Sequence, residues 1–197
     1  MAGYLLGVDV QPSAEMVVAL VNTSPARNGE EGLVSSDVLV EMGRAAKIYY
    51  RPDFTEAEVL GMRRLRDRLD EILRADSQEA RFAMLNELFY SAAAIPQIVT
   101  HAEDPNPHFH YTLEDASYVD HIKGVTAYAL ARLIIMGEYD RLRTCEADGC
   151  NRLFLDTTRN GKRRYCSSQT CGNRIHTARY RNRKQQSRPS RTYARRS

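Results

Sequence analysis

The sequence predicts a mainly α fold with a small β hairpin element. A helical N-terminal domain spans residues 1–140, a C-terminal module of β hairpin and basic helix spans 141–186, and a flexible basic tail spans 187–197. Three observations predict this. Apolar residues recur at helical spacing through much of the first part. Charge divides near residue 140, with 12 Lys plus Arg against 22 Asp plus Glu before it and 16 against 3 after it. All four cysteines of the 197-residue chain fall between 145 and 171.

In chain order, Ser36 followed by DVLVEMGRAAKIYY places a helix start near Asp37, with Val38, Leu39, Met42, Ala45, Ala46 and Tyr49 at helical spacing. Thr55 and Glu58 form a T-x-x-E capping box. Behind it Met62, Leu65, Leu69, Ile72 and Leu73 form one stripe, and the charges of Arg63, Arg64, Arg66, Asp67, Arg68 and Asp70 read as a solvated face. Ser77 caps a third helix carrying Phe82, Leu85, Leu88, Phe89 and Ala92, which Pro96 ends. QIVTHA and HFHYTL flank EDPNP as a small hairpin. Tyr118, Ile122, Val125, Ala129, Leu133 and Met136 mark a long last helix, with Gly137 suited to the left-handed position after it.

Four histidines lie between His101 and His121, with His108 and His110 on one side of a strand. A metal or small-anion site and ordinary strand-edge residues are the two readings. The second is favoured, because no carboxylate or cysteine completes a ligand set. No glycine-rich phosphate loop, nucleophile elbow or H-E-x-x-H helix occurs, so the expectation is a non-enzyme. An enzyme carried by the N-terminal domain, using His101, His108, His110 or Glu103, is the alternative from a different class. The N-terminus does not read as a signal peptide, and no apolar run approaches the ~20 residues of a membrane span. The expected location is the cytoplasm, with no membrane partner. There, cysteines serve as thiols or metal ligands more often than as disulfides.

Cys145 and Cys150 have four residues between them, fifteen follow, and Cys166 and Cys171 again have four between them. Two close pairs across a short insert suit tetrahedral zinc, because each pair closes a small chelate loop. A closed four-sulfur set leaves no open position for a substrate, so one structural Zn2+ is expected. Disulfides, an iron–sulfur cluster and four unrelated thiols are the competing readings. RLFLD and KRRYC alternate about Asn160-Gly161, which accepts the backbone of a tight turn. Pair, hairpin, pair, helix is the order of a treble-clef-like zinc finger.

The helix expected after Gly172 places Ile175 and Ala178 on one arc for packing and spreads Arg174, Arg179, Arg181, Arg183 and Lys184 over the rest. With Arg159, Lys162, Arg163 and Arg164 on the hairpin, these form the candidate nucleic-acid contacts. DNA is the expected partner and RNA the alternative, since so uneven a charge balance calls for a polyanion. A solvated basic tail is the bland reading. The opposite charges of the two parts also allow an autoinhibitory fold-back.

The stretch CEADGCNRLFLDTTRNGKRRYCSSQTCGNR resembles the CGNR zinc finger, named for the residues that stand here as Cys171, Gly172, Asn173 and Arg174. Tyr165 departs from it, where tryptophan is expected. In that family an ABATE domain precedes the finger, and VALVNT at 18–23 is similar to its start. The resemblance implies a stress-induced transcription regulator, with Cys145, Cys150, Cys166 and Cys171 as zinc ligands. Physically, Gly172 is expected to allow close backbone approach to the sulfurs, Asn173 to tie the first turn, and Arg174 to stay free. The N-terminal domain is expected to sense an unidentified effector. A homo-oligomer stays open.

Overall fold

The computed structural model describes residues 5–7, 10–45, 54–100 and 106–186. Seven α-helices and two small antiparallel sheets lie within them. Helix α1 (Val10–Val21) is central. Met16, Val17, Leu20 and Val21 are fully buried, and α1 packs on the later helices α4 and α6 and on strand β4. Val10, Ala14, Val17 and Val21 recur at helical spacing and, with Ser13, Met16 and Leu20, form one buried face, while Glu15 and Ala19 stay exposed. It is followed by α2 (Pro25–Asn28), where Ser24 Oγ accepts from the Ala26 N–H and Gly29 closes the turn at φ +88°.

Helix α3 (Ser36–Ala45) starts where expected and buries Leu39; the continuation through Ala46 and Tyr49 lies outside the described residues. Helix α4 (Glu56–Leu73) has the full capping box, Thr55 Oγ1 accepting from the Glu58 N–H and the Glu58 carboxylate accepting from the Thr55 N–H. Ser77 caps α5 (Gln78–Ser91) and Ser117 caps α6 (Tyr118–Ile135). Gly137 takes φ +70° after α6, and the Glu138 N–H reaches back to Leu133 O at 2.8 Å. Between α5 and α6, β1 (Gln97–Val99) pairs with β2 (His108–His110), Ile98 opposite Phe109.

The charged face of α4 differs from the expectation. Arg66 is 5% exposed and bonds Glu31 at 2.6 Å and Asp67 at 2.8 Å. Arg63 donates twice to Leu33 O, and Asp70 takes both Arg27 and Arg74. Arg66 and Asp70 are thus paired under cover, whereas Arg64 and Asp67 are exposed, as a solvated face requires.

The C-terminal hairpin is also paired differently. Strand β4 (Leu153–Leu155) does not run against residues 162–166. It pairs with β3 (Leu142–Thr144), Leu142 opposite Leu155 and Thr144 opposite Leu153. The buried Asp156 is the reason: its carboxylate accepts from Thr158 N at 2.9 Å, Arg163 N at 2.7 Å and Thr158 Oγ1 at 2.5 Å. It thereby absorbs donors that a strand ladder would otherwise take up. Gly161 does turn the chain, at φ +59°.

Strand β4 also joins the two parts of the molecule. Leu153 belongs to the main core with Met16, Leu20, Leu69 and Ile72, while Leu155 packs with Leu6, Val10, Ala14, Ala129 and Leu133. The fold is therefore mainly α with two small two-stranded sheets, and its cysteine-bearing end is anchored through β4.

Candidate metal centre and nucleic-acid interface

The turn between β3 and β4 is the first knuckle of the site. Cys145 N donates to Arg152 O and Cys150 N to Ala147 O, both at 2.9 Å, and Gly149 supplies the left-handed residue at φ +70°. Of the second pair, Cys171 sits on a short π-helical turn, Ser168–Gly172, capped by Ser167, and Cys166 immediately precedes that cap. That turn runs directly into α7 (Asn173–Gln186).

The four Sγ atoms lie within 4.8 Å of one another. Cys150 to Cys166 is 3.8 Å and Cys166 to Cys171 is 3.7 Å. Sulfurs bonded at ~2.3 Å around one tetrahedral ion stand about 3.8 Å apart, whereas a disulfide needs ~2.05 Å. The four thiols are thus placed to bind one metal ion, and zinc fits.

Electrostatics agree. Burial pushes the Cys166 thiol up to about 12, and the sulfurs of Cys171, Cys145 and Cys150 push the same way. Burial also raises Cys150, against the amide of Arg152. At Cys145 burial opposes ionisation, but amide N–H groups of Cys166 and Ala147 outweigh it and hold the thiol below its ordinary value. Four crowded sulfurs cannot all carry charge unless a cation shares the space.

The CGNR residues take partly different roles from those expected. A Cβ on the buried Gly172 would meet Ser167 O at 3.3 Å, so the close approach is to backbone and not to sulfur. Asn173 Nδ2 ties the first turn to Gln169 O at 3.1 Å. Arg174 is not free: Nη2 donates to Asp148 O at 2.9 Å and lies 4.0 Å from Cys171 Sγ, bracing the first knuckle against the second.

The predicted cations divide into two groups. Arg163 is half-buried, donates to Tyr165 O and Cys166 O, and stacks over Phe154 at 5.0 Å. Arg164 pairs with Glu146. Arg159, Lys162, Arg179, Arg181 and Arg183 are exposed and have no hydrogen bond or ion pair among the described residues. Lys184 is exposed on the same helix.

Ile175 packs against the cysteine cluster; Ala178 is exposed, so the packing arc is shorter than expected. Every other described side chain of α7 is exposed, and no described residue of the acidic domain covers them.

Sequence reasoning missed Asn22 and Arg27, whose partners lie far along the chain, and Asp156, whose partners Thr158 and Arg163 are near in sequence but follow no periodicity. In the β1–β2 region, the His108 and His110 rings are 5.3 Å apart and His110 and His121 are 5.1 Å apart. Their nitrogens do not converge on a metal position, and the cysteine quartet is the group that does among the described residues. His101 and Glu103 lie outside the described residues. No described helix is long and apolar enough to cross a membrane.

Two family models match. The model described as "CGNR zinc finger" covers residues 141–184, and the ABATE model covers residues 14–137, more than half of the chain. No curated protein matches the chain. The chain belongs to the ABATE family, whose description is "Putative stress-induced transcription regulator", with a CGNR zinc finger behind that domain.

Proposed function

We propose that this regulator binds DNA through its zinc finger, with zinc in a structural role and α7 as the recognition helix. One observation carries the reading: Arg179, Arg181 and Arg183 stand exposed, without partners among the described residues, on a helix that starts at the cysteine cluster. The helix has 14 residues, about 21 Å at 1.5 Å per residue. Its apolar anchor, Ile175, lies in the first turn, so most of that length stands clear. A helix of this width enters the DNA major groove, where arginine pairs with guanine or phosphate.

In this reading residues 141–186 are the reading module and residues 1–140 the regulatory domain. The tail over 187–197, outside the described residues, adds four arginines to the basic charge. Arg159 and Lys162 supply flanking phosphate contacts, while Arg163, Arg164 and Arg174 shape the module that presents them. The protein acts in the cytoplasm and catalyses no reaction.

The test is selection of bound sequences from random duplex DNA and RNA pools by the zinc-loaded full-length chain. Enrichment of a duplex DNA site supports the proposal. Enrichment of RNA alone assigns the surface to RNA, and no enrichment from either pool overturns the reading.

A further inference from the structure

A cleft of about 250 Å³ opens where the end of α4 meets the β3–β4 hairpin. Leu73, Tyr139, Leu142 and Leu153 give it apolar walls, and Arg27, Arg74, Thr144 and Asn151 supply the polar lining. We propose that this cleft is the effector site, and that it takes a small organic anion, a carboxylate on an apolar body. The proposal deepens the regulatory reading and rests on it for its second half only.

Charge is the first argument. Arg27 is 8% exposed, with Nε and Nη2 on Asp70 Oδ1. Arg74 places Nε on the other oxygen, Oδ2, at 2.8 Å. One carboxylate therefore serves two guanidinium groups, and the terminal nitrogens of the half-exposed Arg74 have no partner among the described residues. At the C-terminal end of α4, Arg81 donates to Ile72 O at 3.3 Å and, just beyond the helix, to Ala75 O at 3.1 Å, offsetting negative carbonyl charge there. Arg81 also lies over the Tyr139 ring at 4.5 Å, adding positive charge behind the apolar wall. An anion entering the cleft meets an unbalanced fork with two donors in one plane, the geometry that carboxylates match.

Connection to the metal centre is the second. Arg27 Nη1 donates to Thr144 Oγ1 at 3.0 Å and Asn151 O at 3.1 Å. Thr144 precedes the ligand Cys145, and Asn151 follows the ligand Cys150. One buried guanidinium thus holds both ends of the first knuckle while lining the cleft. An anion that draws on the Arg27–Asp70–Arg74 cluster changes the restraint on that knuckle, and through Arg174 on the base of α7. A ligand shifts such an equilibrium only by its differential contacts, and these contacts are the ones available to differ.

The experiment uses zinc-loaded full-length protein, with benzoate and butyrate as anionic probes and benzamide as the neutral counterpart of benzoate. Side-chain NMR signals of Leu73, Leu142, Thr144 and Leu153 should move saturably with an anionic probe, at a Kd on the order of 1 mM for so small a ligand. Benzamide should bind at least roughly tenfold more weakly, and Arg74→Gln should weaken benzoate by a similar factor, because a charge-assisted pair is lost. Arg74 is exposed, and an unchanged melting temperature confirms that the variant folds. No saturable shift with either anion overturns the site, as does equal benzoate binding by Arg74→Gln. These measurements need no nucleic acid, so their failure is distinct from failure of DNA binding. Saturating benzoate should then change the affinity for the selected duplex at least roughly threefold in the parent protein and leave Arg74→Gln unchanged. Unchanged affinity in both overturns the coupling.

Discussion

Asn22 holds the free edge of β4 as a third strand would: its Nδ2 donates to Leu153 O at 2.9 Å, and its Oδ1 accepts from Leu153 N at 2.8 Å. One side chain at the end of α1 thereby satisfies both backbone groups of a buried strand residue on the other side of the molecule. Asn22→Ala removes both partners together and should cost about 2 kcal/mol, because the strand's donor and acceptor stay buried. Asn22→Asp should be no better, since it turns a carboxylate toward a carbonyl oxygen. Urea unfolding of the zinc-loaded chain reads both. An unchanged midpoint means that the leucines alone hold β4 in place.

Asp156 is the corresponding residue inside the finger. Asp156→Ala orphans two amides and should cost on the order of 3 kcal/mol, with Asp156→Asn costing less. The sign of its pH dependence follows from its environment. Burial opposes the charge, but hydrogen bonds from Thr158 and Arg163 outweigh burial and depress the carboxyl below the ordinary 3.8. Its contribution is therefore complete above that value and lost as pH falls through the lower folded value. The stability gap between the parent and Asp156→Asn should hold from pH 7 down to about pH 4 and close below it. A gap that is constant to lower pH rules this account out.

How much was legible follows the range of the interactions. The Thr55–Glu58 box, the Ser77 cap and the turns at Gly137 and Gly161 are set within a few residues, and each occurs where the local sequence placed it. The cysteine quartet was legible because metal geometry imposes its own spacing. Helix α1 carries a stripe, Val10, Ala14, Val17 and Val21, but the apolar Val18 and Ala19 beside it blur its polar face. The β3–β4 pairing was hidden because RLFLD and KRRYC alternate as a hairpin should. What decides against that hairpin is a single carboxylate, Asp156, supplying acceptors that no periodicity encodes. Arg66 and Asp70 escaped for a related reason: a charged helix face reads as solvated until a distant segment, here Arg27 and Glu31, is known to cover it.

The purified chain should carry one zinc per molecule by elemental analysis, and Cys166→Ser should lose it. Chelation should release α7 and the Ser168–Gly172 turn, seen as loss of hydrogen-exchange protection there. Helices α1 and α4 to α6, which have their own core, should stay protected. Structural zinc contributes an apparent ~10 to 16 kcal/mol in small modules. The share here should be smaller, because Leu153 and Leu155 dock β4 independently of the metal. Equal protection of residues 168–184 with and without chelator contradicts the structural role.

Zinc loading should also release protons. The thiols of Cys166, pushed up to about 12, and of Cys150, also raised, are protonated near neutrality, so the ion must displace both protons. Cys145 is shifted the opposite way and contributes less. Apparent affinity should therefore rise at least roughly a hundredfold per pH unit between pH 6 and 8, two or more protons per ion. Competition with a chelator of known pH dependence measures the slope. A slope near zero means that the thiolates form without the metal.

The exposed arginines of α7 set the electrostatics of the proposed DNA contact. If about six phosphates are engaged, log affinity should fall against log salt with a slope near −5, at ~0.9 per phosphate on duplex DNA. Replacing Arg179, Arg181 and Arg183 with Gln one at a time leaves the fold intact, because none of the three has a partner among the described residues. Each arginine on a phosphate should reduce the slope by about 0.9 and weaken all duplexes alike. One that reads a base should instead relax preference at one position of the selected site and leave the slope nearly unchanged. Arg163→Gln should behave differently from all three. Its guanidinium holds Tyr165 and Cys166 and covers Phe154, so its loss should lower stability and metal retention before it changes the salt slope. If Arg163→Gln alters the slope and the three helix variants do not, the contact surface lies on the hairpin side and α7 is not the recognition helix.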